Sequence, residues 1–156
     1  MKCRFCNFKL KDKIIDLGLS PLSNAYLNFK QLYNPELFYA LKIYKCYKCH
    51  LVQTFDYVDP KKIFTKDYAY FSSYSSYFQK HVIKYTKKII SKLKLNNKSH
   101  VIEIASNDGY LLKHFLKFNI PCVGIEPTKS TATISKKKGI KTIQQFFTKD
   151  LAKKLS

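Results

Sequence analysis

The sequence predicts an α/β protein in three parts: a small cysteine-bearing module, a helical connector, and a stretch of alternating strands and helices. Three observations predict it. Two Cys-x-x-Cys pairs, Cys3/Cys6 and Cys46/Cys49, lie within the first fifty residues. Residues 101–112 (VIEIASNDGYLL) pass from a short apolar run through a loop of small residues into a helical pattern. From residue 99 onward, short apolar runs alternate with helical stretches, which implies a parallel sheet with right-handed crossovers.

Residues 1–58 form the module. Residues 14–17, 37–44 and 51–58 are rich in β-branched and aromatic side chains and read as strands. Gly18, Pro21, Asn34 and Pro35 punctuate them. Residues 59–98 form the connector, opened by Asp59-Pro60. There Phe78, Val82, Tyr85, Ile89 and Leu93 recur at helical spacing, while Lys80, Lys84, Lys87, Lys88 and Lys92 fall mostly elsewhere. This is an amphipathic helix suited to packing on a neighbouring domain, and Asn96-Asn97-Lys98 ends it. Residues 99–156 read as strands at 100–104, 122–125 and 141–143, with helices at 110–118, 130–138 and 148–155.

Composition sets outer limits. In 156 residues with a 46% hydrophobic fraction there is enough apolar material for a packed core. No stretch approaches the ~20 apolar residues of a membrane span, and the start, MKCRFC, lacks the apolar centre of a signal peptide. The expected location is cytoplasmic, where cysteines stay reduced and favour metal over disulfides. The net charge of +19 invites a nucleic-acid reading, but Arg4 is the sole arginine. Base and phosphate recognition favours the arginine fork. A solvated lysine surface, with a diffuse pull on anionic ligands, is the plainer account.

The cysteine spacing is chemically specific. Two residues between paired cysteines let a tight turn aim both sulfurs at one ion, and tetrahedral zinc takes four such ligands. Cys3, Cys6, Cys46 and Cys49 therefore read as a structural Zn²⁺ site in a zinc-ribbon-like module, with no position open to water. Under sixty residues bury little core, so a metal has a stabilising task. His50 reads as an ordinary exposed histidine, and Cys122 as a small core residue.

The second constellation is a cofactor cradle. A doubly wound, Rossmann-like sheet binds ligands at the carboxyl ends of its strands, near the switch in strand order. Glu103 closes the first strand, and Ala105, Ser106, Asn107, Asp108 and Gly109 form a loop small enough for close approach, with Gly109 opening the helix. Glu126, followed by Pro127, ends the second strand about twenty residues later, where an acid suits ribose hydroxyls. The pattern is not Gly-x-Gly-x-x-Gly, which argues against NAD or FAD. It fits S-adenosylmethionine better.

These motifs, in order, resemble the zinc-containing, S-adenosylmethionine-dependent C-methyltransferases of deoxysugar biosynthesis. The similar segments are 16–26 (DLGLSPLSNAY), 46–53 (CYKCHLVQ), 67–73 (DYAYFSS) with His81, 103–112 (EIASNDGYLL), 124–127 (GIEP), Gly139-Ile140 and Phe146-Phe147. The resemblance implies methyl transfer to carbon on a nucleotide-linked keto-deoxysugar. It also implies a sugar-nucleotide pocket drawing on Tyr68, Tyr70, Ser72, Ser73 and His81. The family's enzymes are longer, with a larger sheet and a C-terminal domain completing the substrate site. By this resemblance the chain holds the zinc module and the first three βα units, with the catalytic residues in a missing C-terminal half, supplied in cis or by a partner. Alone it is expected to be incomplete and inactive. The competing reading is a zinc-ribbon module that binds nucleic acid without catalysis, with Phe and Tyr stacking on bases. It explains the cysteines and the charge but leaves Glu103, Asp108 and Glu126 without a role.

Overall fold

The computed structural model describes residues 1–155 and divides the chain into two compact units, Met1–Ile63 and a second from Phe64 onward. In the first unit the two cysteine pairs fold as copies of one turn. The Cys3 N–H donates to the Phe8 carbonyl (2.8 Å) and Asn7 N–H to the Cys3 carbonyl (3.0 Å). In the second copy, Cys46 N–H donates to Leu51 (2.9 Å) and His50 N–H to Cys46 (2.8 Å). Asn7 and His50 occupy the same left-handed position, at φ 59° and 61°.

Strands β1 (Lys13–Ser20), β2 (Tyr39–Lys45) and β3 (Val52–Gln53) form an antiparallel sheet in that order. The β1–β2 register runs from Lys13↔Tyr44 to Ser20↔Tyr39 and slips twice. Gly18 lies within the second slip at φ +78°, its N–H donating to the Asp16 carboxylate at 3.0 Å. A left-handed glycine is the usual device for absorbing an extra residue there. The third strand is far shorter than the run 51–58 suggests. Its continuation is claimed by a side chain: the Arg4 guanidinium donates to the Thr54 carbonyl and to Asp56. Phe55 turns inward, edge-on to Tyr44 with ring centroids 4.8 Å apart. The buried core is Leu10 and Tyr44 with Cys3 and Cys46, so half of it is sulfur ligands. A short helix, α1 (Pro60–Ile63), closes the unit.

In the second unit, α2 (Ser76–Leu93) is capped by the Ser75 hydroxyl, which accepts from Phe78 N–H. It ends earlier than Asn96 because Lys94 turns left-handed (φ 53°) and the Leu95 N–H reaches back to the Ile90 carbonyl. This is the usual way of satisfying last-turn carbonyls. Strands β4 (Val101–Ile104), β5 (Cys122–Ile125) and β6 (Lys141–Ile143) are parallel and lie in sequence order. Helices α3 (Leu112–Leu116) and α4 (Lys129–Lys137) make the crossovers, and α5 (Lys149–Leu155) follows β6. Every residue of β5 is buried, as a central parallel strand requires. Leu112, Phe115, Ile120, Cys122 and Ile140 form the core, with Ile89 and Ile90 of α2 packed against it. Cys122 is thus a core residue. Helix α3 starts at Leu112 rather than at Gly109, because the preceding loop has left-handed residues at Ala105, Asn107 and Gly109.

Candidate functional site

Two constellations carry chemistry. In the first unit the Sγ atoms of Cys3, Cys6, Cys46 and Cys49 all lie within 4.8 Å of one another. Cys3 and Cys49 are 3.6 Å apart, as are Cys6 and Cys46. Four thiolates at ~2.3 Å from one zinc define a tetrahedron with edges of about 3.8 Å, so the sulfurs stand close to where the ion needs them. Gln53 completes the surroundings. Its Nε2 donates to Cys3 Sγ at 3.2 Å, while its Oε1 accepts the Arg4 N–H at 3.0 Å. Burial raises the Cys3 thiol, but the Cys6 and Phe5 N–H groups and Gln53 outweigh it and bring it down to about 6. Donors to a sulfur favour the thiolate, the form that binds metal. The donor set fits zinc, and four protein ligands leave no position for water, the mark of a structural site. His50 lies outside the cluster, used instead by its backbone in the second turn.

In the second unit a cavity of about 510 Å³ opens at the carboxyl ends of β4 and β5. Ala105, Asn107, Glu126 and Pro127 line it, as do Tyr68, Tyr70 and Ser72 of the connector. The remaining wall is apolar and aromatic: Phe64, Ile104, Tyr110, Ile125, Phe146 and Phe147. These six were not among the residues singled out from the sequence as ligands. Phe146 and Phe147 had a signal that could have found them, since they lie in the loop after β6, past the carboxyl end of a strand, where such sheets gather ligand loops.

The loop after β4 holds the connector. Asn107 Oδ1 accepts the Ser72 N–H (2.8 Å) and its Nδ2 donates to the Tyr70 carbonyl (3.1 Å). Ser73 donates to the Asp108 carboxylate, which also receives Lys138 Nζ at 2.9 Å. Ser130 N–H and hydroxyl donate to the Lys66 and Tyr68 carbonyls. Residues 66–73 thereby become a strap laid along the cavity. Asp108, fully buried, sits behind that wall. Gly109 faces away from the cavity too: a Cβ there would come within 2.2 Å of Ile140 and 2.8 Å of Ser135. Ser106 packs against Gly124, where a Cβ would meet its hydroxyl at 2.4 Å. His81 lies flat against Phe78 and borders a separate shallow groove with Tyr77, Lys80 and Lys84.

Glu126 is only 4% exposed. Its Oε2 accepts the Asn107 N–H (2.9 Å), and its Oε1 accepts both the N–H (2.9 Å) and hydroxyl (2.6 Å) of Thr128. Glu103 is different: burial pushes it up to about 8, with Asp108 and Glu126 adding to the rise and the Tyr110 hydroxyl opposing it.

The sequence that builds these two constellations has counterparts. Residues 3–64 match a family described as "Putative zinc binding domain". Over 155 residues, 99% of its length, the chain is 23% identical to the C-methyltransferase NovU of Streptomyces niveus. It spans 37% of that curated relative. Together with the cysteine cluster, these matches fit a zinc-containing C-methyltransferase, and they do not favour the nucleic-acid module. Among the described residues, no helix is long and apolar enough to cross a membrane.

Proposed function

We propose that the chain binds S-adenosylmethionine in the cavity at the carboxyl ends of β4 and β5 and serves methyl transfer to a carbon of a nucleotide-linked keto-deoxysugar. The observation that carries this reading is the pairing of a buried acid at the end of β5, Glu126, with an aromatic wall in one cavity. Such a cavity suits an adenosyl group, which has a polar ribose and a flat apolar base. The relative's description as a C-methyltransferase supports the same reaction class.

The residues divide the work. Glu126 Oε2 receives one protein donor, which leaves it a lone pair for a ribose hydroxyl. Ala105 and Asn107 border the methionine portion. Phe146 and Phe147 exclude water and offer flat faces to the base. Tyr68, Tyr70 and Ser72 on the strap present hydroxyls toward a sugar nucleotide, and the lysine-rich surface attracts its phosphates. When bound, S-adenosylmethionine supplies an electrophilic methyl group. The carbon beside a ketone is acidic enough to lose a proton to a positioned base, and the chain's share is alignment. The zinc site contributes structure.

Titrating the ¹⁵N-labelled chain with S-adenosylmethionine tests this. Shifts confined to the amides of Ala105, Asn107, Glu126 and Phe147 and the strap are expected. Shifts absent at millimolar ligand, or scattered over the lysine surface, would contradict it.

A further inference from the structure

Glu103 is the third residue of β4, and its Oε2 is buried with no hydrogen-bond partner. Its polar contact is the side chain of Tyr110, a residue that lines the cavity. The charges that act on it, from the loop and from the end of β5, are Asp108 and Glu126, and both are negative. Across the sheet, Cys122 at the start of β5 feels Glu103 in turn, its thiol raised by burial and then by that charge. The nearby cation, Lys138, is committed to Asp108, with Nζ 2.9 Å from the carboxylate and 2.7 Å from the carbonyl. Lys113 also faces Asp108 and donates to Gln79 at 2.6 Å. Three of the chain's ten acids thus converge at one cavity of a protein with net charge +19, Glu126 in its lining and Glu103 and Asp108 behind it. A carboxyl that is buried, half-unpartnered and surrounded by like charge keeps its proton.

We propose that Glu103 reads the charge of the cavity's occupant: it holds a proton while the cavity is empty and releases it to solvent when a cationic ligand enters. The site then favours a sulfonium over the neutral thioether left when the methyl has gone. The identity of the cation rests on the S-adenosylmethionine reading; the proton on Glu103 does not. Tyr110 links the two, since its side chain hydrogen-bonds Glu103 and the residue lines the cavity.

Two arms test the proposal and separate it from the reading it rests on. In the ligand-free chain, ¹³C-carboxyl NMR assigned with Glu103→Gln should give a Glu103 midpoint near 8, and Tyr110→Phe should move it higher. A midpoint near 4 would overturn the proposal. In the second arm, calorimetry at pH 7 in buffers of different ionisation enthalpy compares S-adenosylmethionine with S-adenosylhomocysteine. Both carry the same amino acid, so the difference isolates the sulfonium. Release of about one more proton with the sulfonium ligand is expected, and its loss in Glu103→Gln. Equal release with both ligands, or release that survives Glu103→Gln, would overturn it. If neither ligand binds, the functional reading fails, and trimethylsulfonium decides the inference. A lowered Glu103 midpoint in its presence supports the proposal, and an unmoved one overturns it.

Discussion

The Glu126 carboxylate accepts the backbone N–H of Asn107 at 2.9 Å, so the acid at the end of β5 holds the loop after β4 in shape. Its other oxygen is met by two donors from Thr128. Both carboxylate oxygens therefore face N–H groups. In Glu126→Gln, either amide orientation places an N–H₂ against a backbone N–H. A loss of about 1–3 kcal/mol in the stability of the second unit is expected, measured by urea denaturation. An unchanged midpoint would show that the clamp is dispensable. Sequence reasoning assigned this residue to ribose alone, whereas the structure adds a prior task.

Asn107 does for the strap what Glu126 does for the loop. Asn107→Ala removes both bonds to Tyr70 and Ser72. Hydrogen exchange at Ser72 should quicken by more than tenfold while β5 amides stay protected. Equal acceleration in both places would mean that the strap has no local stability of its own.

Gly109 and Gly124 are constrained by space. Gly124→Ala drives a Cβ into Ser106 and Leu112, and Gly109→Ala adds a left-handed backbone penalty at φ +73° to a clash with Ile140. Each should cost on the order of 2 kcal/mol, read as a fall in the denaturation midpoint.

Glu103 makes stability depend on pH in an uncommon direction. The folded chain keeps this proton up to about pH 8, whereas an exposed glutamate gives it up near ~4.3. Between these values the native state holds the greater number of protons, so stability falls as pH rises. Glu103→Gln should flatten that fall in the second unit between pH 5 and 8. A parallel slope in the variant would assign the effect elsewhere.

In the first unit, metal and fold are expected to be lost together. About one equivalent of zinc should copurify, and a strong chelator should unfold the β1–β2–β3 sheet. Cys46→Ser should abolish metal binding and Cys122→Ser should not. Gln53→Leu, which removes the donor to Cys3, should weaken zinc by about 10–100-fold.

Local signals were the legible ones. The Cys-x-x-Cys turns and the apolar runs of β4 and β5 read correctly because spacing and hydrophobicity are properties of adjacent residues. Side-chain claims from distant segments were hidden. Arg4 ends β3 from fifty residues away, through Thr54 and Asp56. The sequence marks Asn107 and Asp108 as polar, small-loop residues after a strand, but it does not show what else they hold. Their partners, Tyr70, Ser72 and Ser73, lie about 35 residues earlier, and no periodicity reports such a pairing. His81 sits on a helix face whose rotation only packing decides.

The central claim is that the cavity at the ends of β4 and β5 is an S-adenosylmethionine site. Photolabelling with methyl-tritiated S-adenosylmethionine, followed by peptide mapping, tests it most directly. Label is expected on the peptides carrying Tyr68–Tyr70 and Phe146–Phe147, competed away by S-adenosylhomocysteine. Label that is absent, resists competition, or falls on residues 1–63 would contradict the account.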